Sequence, residues 1–315
     1  MAEVQNDKAE KLNLDTLDWN GMTWIDIAPP GQSEIDYLAE NYSFHPLDLD
    51  DTLSRRQRPK IDEYKDYLFI VFHFPIYSKE EKVLISSQIS VFIGQDYLIT
   101  LHKGVLKPLV KLFRECELDE ESRKEYLGQG PGFLLYRILD RLVDYCQPIL
   151  NKVSDGIEDV EDDIFTERKG AVIREISRLR RDVIAFRRII WPMRAVIGRL
   201  EPRIRRFIDN DMAVYFGDMV DHLDRIWDGL DEYKEIIEGL NDTHDSIATN
   251  RTNETIRILT IIATVMLPVT VVASVFGMNI PLPFMEADYA IFCVFGIMLA
   301  IIGGVLLLLR KLRVI

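Results

Sequence analysis

Eight positions toward the C-terminal end of this 315-residue chain, Asn253, Ile256, Thr260, Ala263, Leu267, Thr270, Ser274 and Gly277, recur at alternating spacings of 3 and 4. A helix gathers such positions on one face. Here the face alternates amide and hydroxyl oxygens with apolar or very small groups. Oxygens in that setting accept hydrogen bonds from water or a hydrated ion, and perform no covalent chemistry of their own. The rest of the chain offers no catalytic alternative: there is no P-loop, no GxSxG and no HExxH. The five histidines, at 45, 73, 102, 222 and 244, lack the paired spacing of a zinc site. Cys116, Cys146 and Cys293 are odd in number and far apart, so they read as plain thiols in a reducing compartment.

The elements that carry this face set its surroundings. No Asp, Glu, Lys, Arg or His falls in 258–285 or in 289–309, and Glu286 and Asp288 are the charges between the two runs. A hydrocarbon core of roughly 30 Å needs about 20 apolar residues in a helix. Both runs are long enough, so the expected spans are 258–279 and 289–309, joined by a loop over 280–288. Arg251 and Arg257 precede the first span, a basic tail over 310–315 holds Arg310, Lys311 and Arg313, and the loop has no base. Basic flanks stay in the cytoplasm. Both termini are therefore expected there, in the inner (plasma) membrane, and residues 1–15 have no apolar stretch of the kind a signal peptide needs. With the loop acids and tail bases set aside, residues 1–257 carry −14 of the total −13. A mean hydropathy close to zero is thus an average of an acidic body and two neutral spans. A single hairpin encloses no aqueous path, so a conducting chain must oligomerise, and cyclic symmetry would turn Asn253, Thr260, Thr270 and Ser274 toward one axis. Hydroxyls in such helices also bond to their own backbone or pack at helix interfaces.

The acidic body reads in three parts. Residues 1–130 form a mixed α/β domain after a disordered start of about 15 residues: strand-like runs at 22–28, 67–77, 83–94 and 97–102, the last two a hairpin, with short helices at 33–41 and 45–54. Residues 131–206 read as a helical hairpin, a helix over 133–165 with an acidic end followed by thirteen bases within 168–206. Ion pairing between the two helices accounts for those bases better than nucleic acid does, since a nucleic-acid surface would be neutralised by the acidic neighbour. Residues 207–257 form a stalk helix. In it Asp221, Asp224, Asp228, Asp231, Glu235, Glu238, Asp242 and Asp245 repeat every 3.5 residues on average, opposite a second stripe at Leu223, Ile226, Leu230, Tyr233, Ile237, Leu240, His244 and Ile247. No Gly or Pro falls between Leu240 and Leu267, so one helix is expected to run from stalk into membrane, with Pro268 removing one backbone donor.

Phe276-Gly277-Met278-Asn279 closes the first span. A GMN tripeptide at that place, with HPLDLDDTLSRRQRPKIDEYKDYLFIV near the N-terminus and TNETIRILTIIATVMLPVT in the span, closely resembles the CorA family of magnesium channels, within the two-span GxN superfamily. The resemblance covers nearly the whole chain. It implies an α+β cytoplasmic domain with αβα layers, a long helical stalk and two transmembrane helices, assembled as a funnel-shaped homopentamer in membrane lipid. It further implies a selectivity filter at Gly277, Met278 and Asn279, where neutral oxygens accept hydrogen bonds from the waters of Mg²⁺, an ion that dehydrates reluctantly. Polar rings at Asn253 and Thr270 would flank an apolar stretch of Ile256, Leu259, Ala263 and Leu267, able to close by dewetting. The family's regulatory Mg²⁺ between subunits matches Asp51 and Asp218, with Asp50 as a further ligand; its loss would let carboxylates repel and loosen the ring. Phe276 stands where Tyr is usual, and the loop reads IPLPFMEAD where many members have Met-Pro-Glu, with Glu286 as the loop acid. The expected function is passive influx of Mg²⁺, with Co²⁺ and Ni²⁺ admitted, without an organic cofactor, enzymatic activity or nucleic-acid partner. The alternatives are a Zn²⁺ or Co²⁺ transporter on the same fold and a membrane-anchored cation sensor that conducts nothing.

Overall fold

The computed structural model describes residues 12–54, 57–78, 83–164, 169–208, 211–278 and 290–312. The chain divides into two compact units, Met1–Leu240 and Asn241–Ile315. In the first, the described residues form a six-stranded sheet of β1 (Leu14–Trp19), β2 (Met22–Ile27), β3 (Lys60–Glu63), β4 (Leu68–Ser78), β5 (Val83–Ile93) and β6 (Tyr97–His102). The spatial order is β1-β2-β6-β5-β4-β3, with β2 and β6 parallel and the other neighbours antiparallel.

A sheet covered on both faces needs strands that are apolar on both sides, which explains the unbroken run LFIVF of β4. Its Phe69 and Val71 join Ile25, Phe92 and Ile99 beneath Ile35 and Leu38 of α1 (Gln32–Asn41) and Leu49 of α2 (Pro46–Leu53). The alternate residues Leu68, Ile70 and Phe72 are fully buried on the other face. That face meets α3 (Lys107–Leu118), which α4 (Glu120–Leu127) follows and where Trp24 lies edge-on to Phe113 at 4.8 Å, and α7 (Lys169–Ile197), whose Asp182 accepts the Leu84 N–H at 3.0 Å. The result is the αβα layering expected. Phe92 is the centre of the first face, stacked on Phe44 at 4.2 Å and tilted against Phe69 at 4.7 Å. Phe92→Ala is expected to remove about 3–5 kcal/mol of stability, read as a lower midpoint of thermal unfolding; a loss under about 1 kcal/mol would show that this aromatic cluster is not the core.

Two departures from the sequence reading have local causes. The chain is ordered as β1 from Leu14, inside the stretch read as disordered, because Asn20 and Gly21 both take positive φ (49° and 85°) and turn β1 onto β2 with Trp19 opposite Met22. An Asn-Gly pair is the favoured two-residue hairpin turn. The helix expected over 133–165 is two helices, α5 (Pro131–Asp144) and α6 (Cys146–Asp163), divided at Tyr145. Pro148 in the first turn of α6 has no N–H to return to the preceding turn, so the ladder is interrupted there. Two bases of α7 pair outside the expected helical hairpin: Arg187 with Asp231 and Arg194 with Asp224. Those acids belong to α9 (Ala213–Phe276), a single 64-residue helix that follows α8 (Glu201–Ile204). In α9, Leu223, Ile226, Leu230, Ile237 and Leu240 of the second stripe are buried, while Tyr233, His244 and Ile247 are partly exposed.

The second unit contains the later part of α9 and α10 (Ala290–Lys311). Among its described residues no side chain is buried, although both helices are long and apolar enough to cross a membrane. Leu259, Leu267, Phe292 and Leu307 are all more than half exposed. Helices apolar on every side have no place in water, so lipid and further helices must cover them.

Candidate functional site

The first candidate group lies on α2. Pro46 at the helix start already lacks the N–H that the first turn leaves unpaired, and the His45 Nδ1 caps it by accepting the Leu47 N–H at 3.2 Å. The helical period then separates the three aspartates of LDLDD. Asp48 points inward, 1% exposed, and accepts hydroxyl hydrogens from Tyr67 at 3.0 Å and Tyr64 at 3.2 Å. Burial pushes its carboxyl up despite those bonds. Asp50 is exposed. Asp51 is half-buried, its carboxylate paired with the Lys60 ammonium at 2.6 Å and accepting from the Gln57 amide at 2.6 Å. The outward acids of this motif are therefore those the resemblance assigns to regulation, and the inward one secures the helix to the sheet.

Asp218 lies on α9 with its side chain 63% exposed and His222 one turn later, 3.6 Å away. His222 Nδ1 is 3.5 Å from Asp144 of α5. Asp140 stands one turn earlier on α5; burial raises its carboxyl, and the charges of Asp144 and Asp218 add to the rise. The sequence reading missed this gathering of Asp140, Asp144, Asp218 and His222. Its signal was present as two i, i+4 pairs, but only packing of α5 against α9 makes them one surface. Within one chain, no hydrogen bond or ion pair among the described residues joins Asp51 to Asp218, and no group of three or more His, Cys, Asp or Glu side chains there is arranged to hold a metal.

The polar stripe of α9 lies in the second unit. Asn253, Ile256, Leu259, Thr260, Ala263, Leu267, Thr270 and Ser274 are all exposed. The Thr260 hydroxyl donates to the Ile256 carbonyl at 2.8 Å, and that of Thr270 to Met266 at 2.8 Å. Of the two expectations for these hydroxyls, the bond to the helix's own backbone is the one observed, and it commits their hydrogens. Helix α9 ends as Gly277 N–H bonds the Ala273 carbonyl at 2.9 Å and Met278 N–H the Val275 carbonyl at 3.3 Å. Met278 is half exposed. Asn279 and Glu286 lie outside the described residues.

An αβα domain, a 64-residue helix leaving it and two apolar, unburied helices at the C-terminal end define an integral membrane protein. The family model for CorA-like Mg²⁺ transporter protein matches residues 19–311, and the chain belongs to that family, whose members are transporters and not enzymes. It is 30% identical over 261 residues to the cobalt/magnesium transport protein CorA of Thermotoga maritima, covering 82% of this chain and 73% of that one. To the putative metal ion transporter YfjQ of Bacillus subtilis it is 28% identical over 309 residues, covering 96% and 92%. The solved CorA magnesium transporter of Methanocaldococcus jannaschii superposes with a TM-score of 0.82 at 23% identity, covering 95% of this chain and 93% of that one. The chain is accordingly a divalent cation transporter of the CorA family.

Proposed function

We propose that the chain forms a homopentameric channel for passive Mg²⁺ influx, with both termini in the cytoplasm and Gly277, Met278 and Asn279 at the outer entrance. The observation that carries this reading is the stripe of α9. It runs along one helix, is exposed among the described residues, and holds hydroxyls at Thr260 and Thr270 whose hydrogens are already used. Five such helices around an axis would present acceptor rings at Asn253, Thr260, Thr270 and Ser274. Such rings suit an ion that keeps its waters, because each water donates outward. Co²⁺ and Ni²⁺ hexahydrates make the same contacts, and the cobalt in the name of the Thermotoga relative agrees with Co²⁺ passage.

Regulation follows from the same assembly. Asp51, with Asp50 beside it, and Asp218 would meet across neighbouring subunits, where a Mg²⁺ bridging them holds the cytoplasmic ring closed. The test is flux of Mg²⁺, Co²⁺ and Zn²⁺ into proteoliposomes with internal Mg²⁺ varied. Mg²⁺ uptake suppressed by internal Mg²⁺ is expected, and an absence of Mg²⁺ flux overturns the reading in favour of a Zn²⁺ carrier or a sensor.

The apolar rings give a separate prediction. Ile256, Leu259, Ala263 and Leu267 would exclude water from a narrow closed pore. Replacing Leu267 or Leu259 with Gly is expected to leave a leak current at high internal Mg²⁺, measured in planar bilayers. Currents equal to those of the parent would place the gate elsewhere.

A further inference from the structure

The sheet face under α1 and α2 changes character along its length. Beneath the helices it is Phe69, Val71, Phe92 and Ile99. Beyond the end of α2, alternate positions of β5 become Ser90, Gln88 and Ser86, and His73 of β4 stands opposite Gln88. A cleft of about 460 Å³ opens there, bounded by Thr52, His73, Ser86, Gln88, Leu101 and Lys103 among others. That volume lies in the range of small-molecule sites. In a chain of net charge −13, its described lining holds no carboxylate.

The hydrogens in this cleft can be assigned one by one. His73 Nε2 is 2.8 Å from the Gln57 carbonyl, so that nitrogen carries the hydrogen. Burial holds the imidazole below the usual histidine range, which keeps it neutral. Its Nδ1, 2.9 Å from Ser86 Oγ, therefore accepts the Ser86 hydroxyl hydrogen. The Thr52 hydroxyl donates to the Leu49 carbonyl at 2.6 Å. The Gln88 amide nitrogen donates to the Asp51 carbonyl at 3.2 Å and to Ser90 Oγ at 3.1 Å, while its buried Oε1 has no partner among the described residues. Three oxygens thus remain as acceptors with no hydrogen to offer. At the rim stands one exposed ammonium, Lys103, which forms no ion pair among the described residues.

Acceptors on the floor and, among the described residues, one cation at the rim define a complementary ligand: several hydroxyl donors and an anionic group. We propose that this cleft binds a small polyol bearing a phosphate or carboxylate, with its hydroxyls on Gln88 Oε1, Ser86 Oγ and Thr52 Oγ1 and its anionic group on Lys103. Pro29, Pro30 and Leu101 supply the apolar wall that the carbon skeleton needs. The floor is tied to α2 through Gln88 and the Asp51 carbonyl, and through His73 and Gln57, whose amide holds the Asp51 carboxylate. Occupancy thus acts on the helix that carries Asp51, a consequence that rests on the regulatory reading above.

The experiment is calorimetric titration of the full chain in detergent, at fixed free Mg²⁺, with glucose 6-phosphate, glycerol 3-phosphate and gluconate. At least one is expected to bind saturably, and Lys103→Ala and Ser86→Ala are each expected to weaken it about tenfold or more. Lys111→Ala, an exposed charge on α3, is expected to leave it unchanged. Glucose and inorganic phosphate, each holding half of the chemistry, are expected to bind more weakly than the parent ligand. Absence of saturable binding by all three probes overturns the proposal. So does binding that survives both cleft variants, or that falls equally in Lys111→Ala. The readout is binding and not flux, so the result stands apart from whether Asp51 holds a regulatory cation.

Discussion

Proteoliposomes containing the Gly277→Ala variant are expected to take up Mg²⁺ no faster than empty vesicles, while the variant still assembles and elutes as the parent oligomer. Gly277 ends α9 with its N–H on the Ala273 carbonyl at 2.9 Å, and an added Cβ would lie 3.1 Å from that same oxygen. The added methyl crowds the bond that closes the helix. To relieve it, the last turn of the helix has to give by a few tenths of an ångström. A methyl group from each of five chains would also enter the narrowest part of the proposed entrance, where the waters of the ion need acceptors. Asn279→Ala is expected to do the same without crowding, by deleting the amide oxygen. Uptake by a divalent-sensitive dye, together with size-exclusion chromatography, checks both. Normal uptake in either variant removes the filter from these residues.

Internal Mg²⁺ is expected to lose its inhibitory effect in Asp218→Lys. The Asp218 side chain is 63% exposed and its near neighbour is His222, so the first unit tolerates the change without a buried charge being left behind. At a shared site the new ammonium would repel the cation and pair with acids instead, closing the ring without Mg²⁺ or leaving it open at every concentration. Either way, the half-inhibiting internal Mg²⁺ should shift by at least about tenfold, equivalent to ~1.4 kcal/mol of lost binding. Asp51→Lys acts on the same equilibrium but has a local cost, since it sets a lysine against Lys60. Asp51→Asn is the cleaner partner variant. Inhibition at unchanged Mg²⁺ in Asp218→Lys and Asp51→Asn would mean that these carboxylates are not the ligands.

Legibility from sequence followed the range of the interactions involved. The spans, the stalk and the 3.5-residue register of α9 are local periodicities; the structure has the stalk and the first span as one helix from Ala213 to Phe276 and the second as α10. The β5–β6 hairpin and the long apolar strands also stood out, because both faces of the sheet are covered. Strand β1 was missed because LDTLDW is one-third acidic and amphipathic, although its Asn20-Gly21 turn was readable. The α5–α6 break was missed because a single Pro near a helix start is compatible with one long helix as well as with two.

The candidate site divides along the same line. By itself the sequence determined which residues are available: a helix face of oxygens and small groups, a GMN tripeptide at its end, an acidic body and a basic tail. These depend on residue type and on spacing along one helix, which are properties of neighbours in the chain. The tertiary structure decided how those residues are used. It turned Asp48 inward to two tyrosines and left Asp50 and Asp51 outward, set Asp140 and Asp144 of α5 beside Asp218 and His222 of α9, and sent Arg187 and Arg194 to the stalk acids. It also joined His73, Ser86, Gln88 and Thr52 in a cleft whose oxygens have already committed their hydrogens. Charge pairing and hydrogen-bond donation act over a few ångströms between residues tens of positions apart, and only folding of the sheet under α1 and α2 sets those distances.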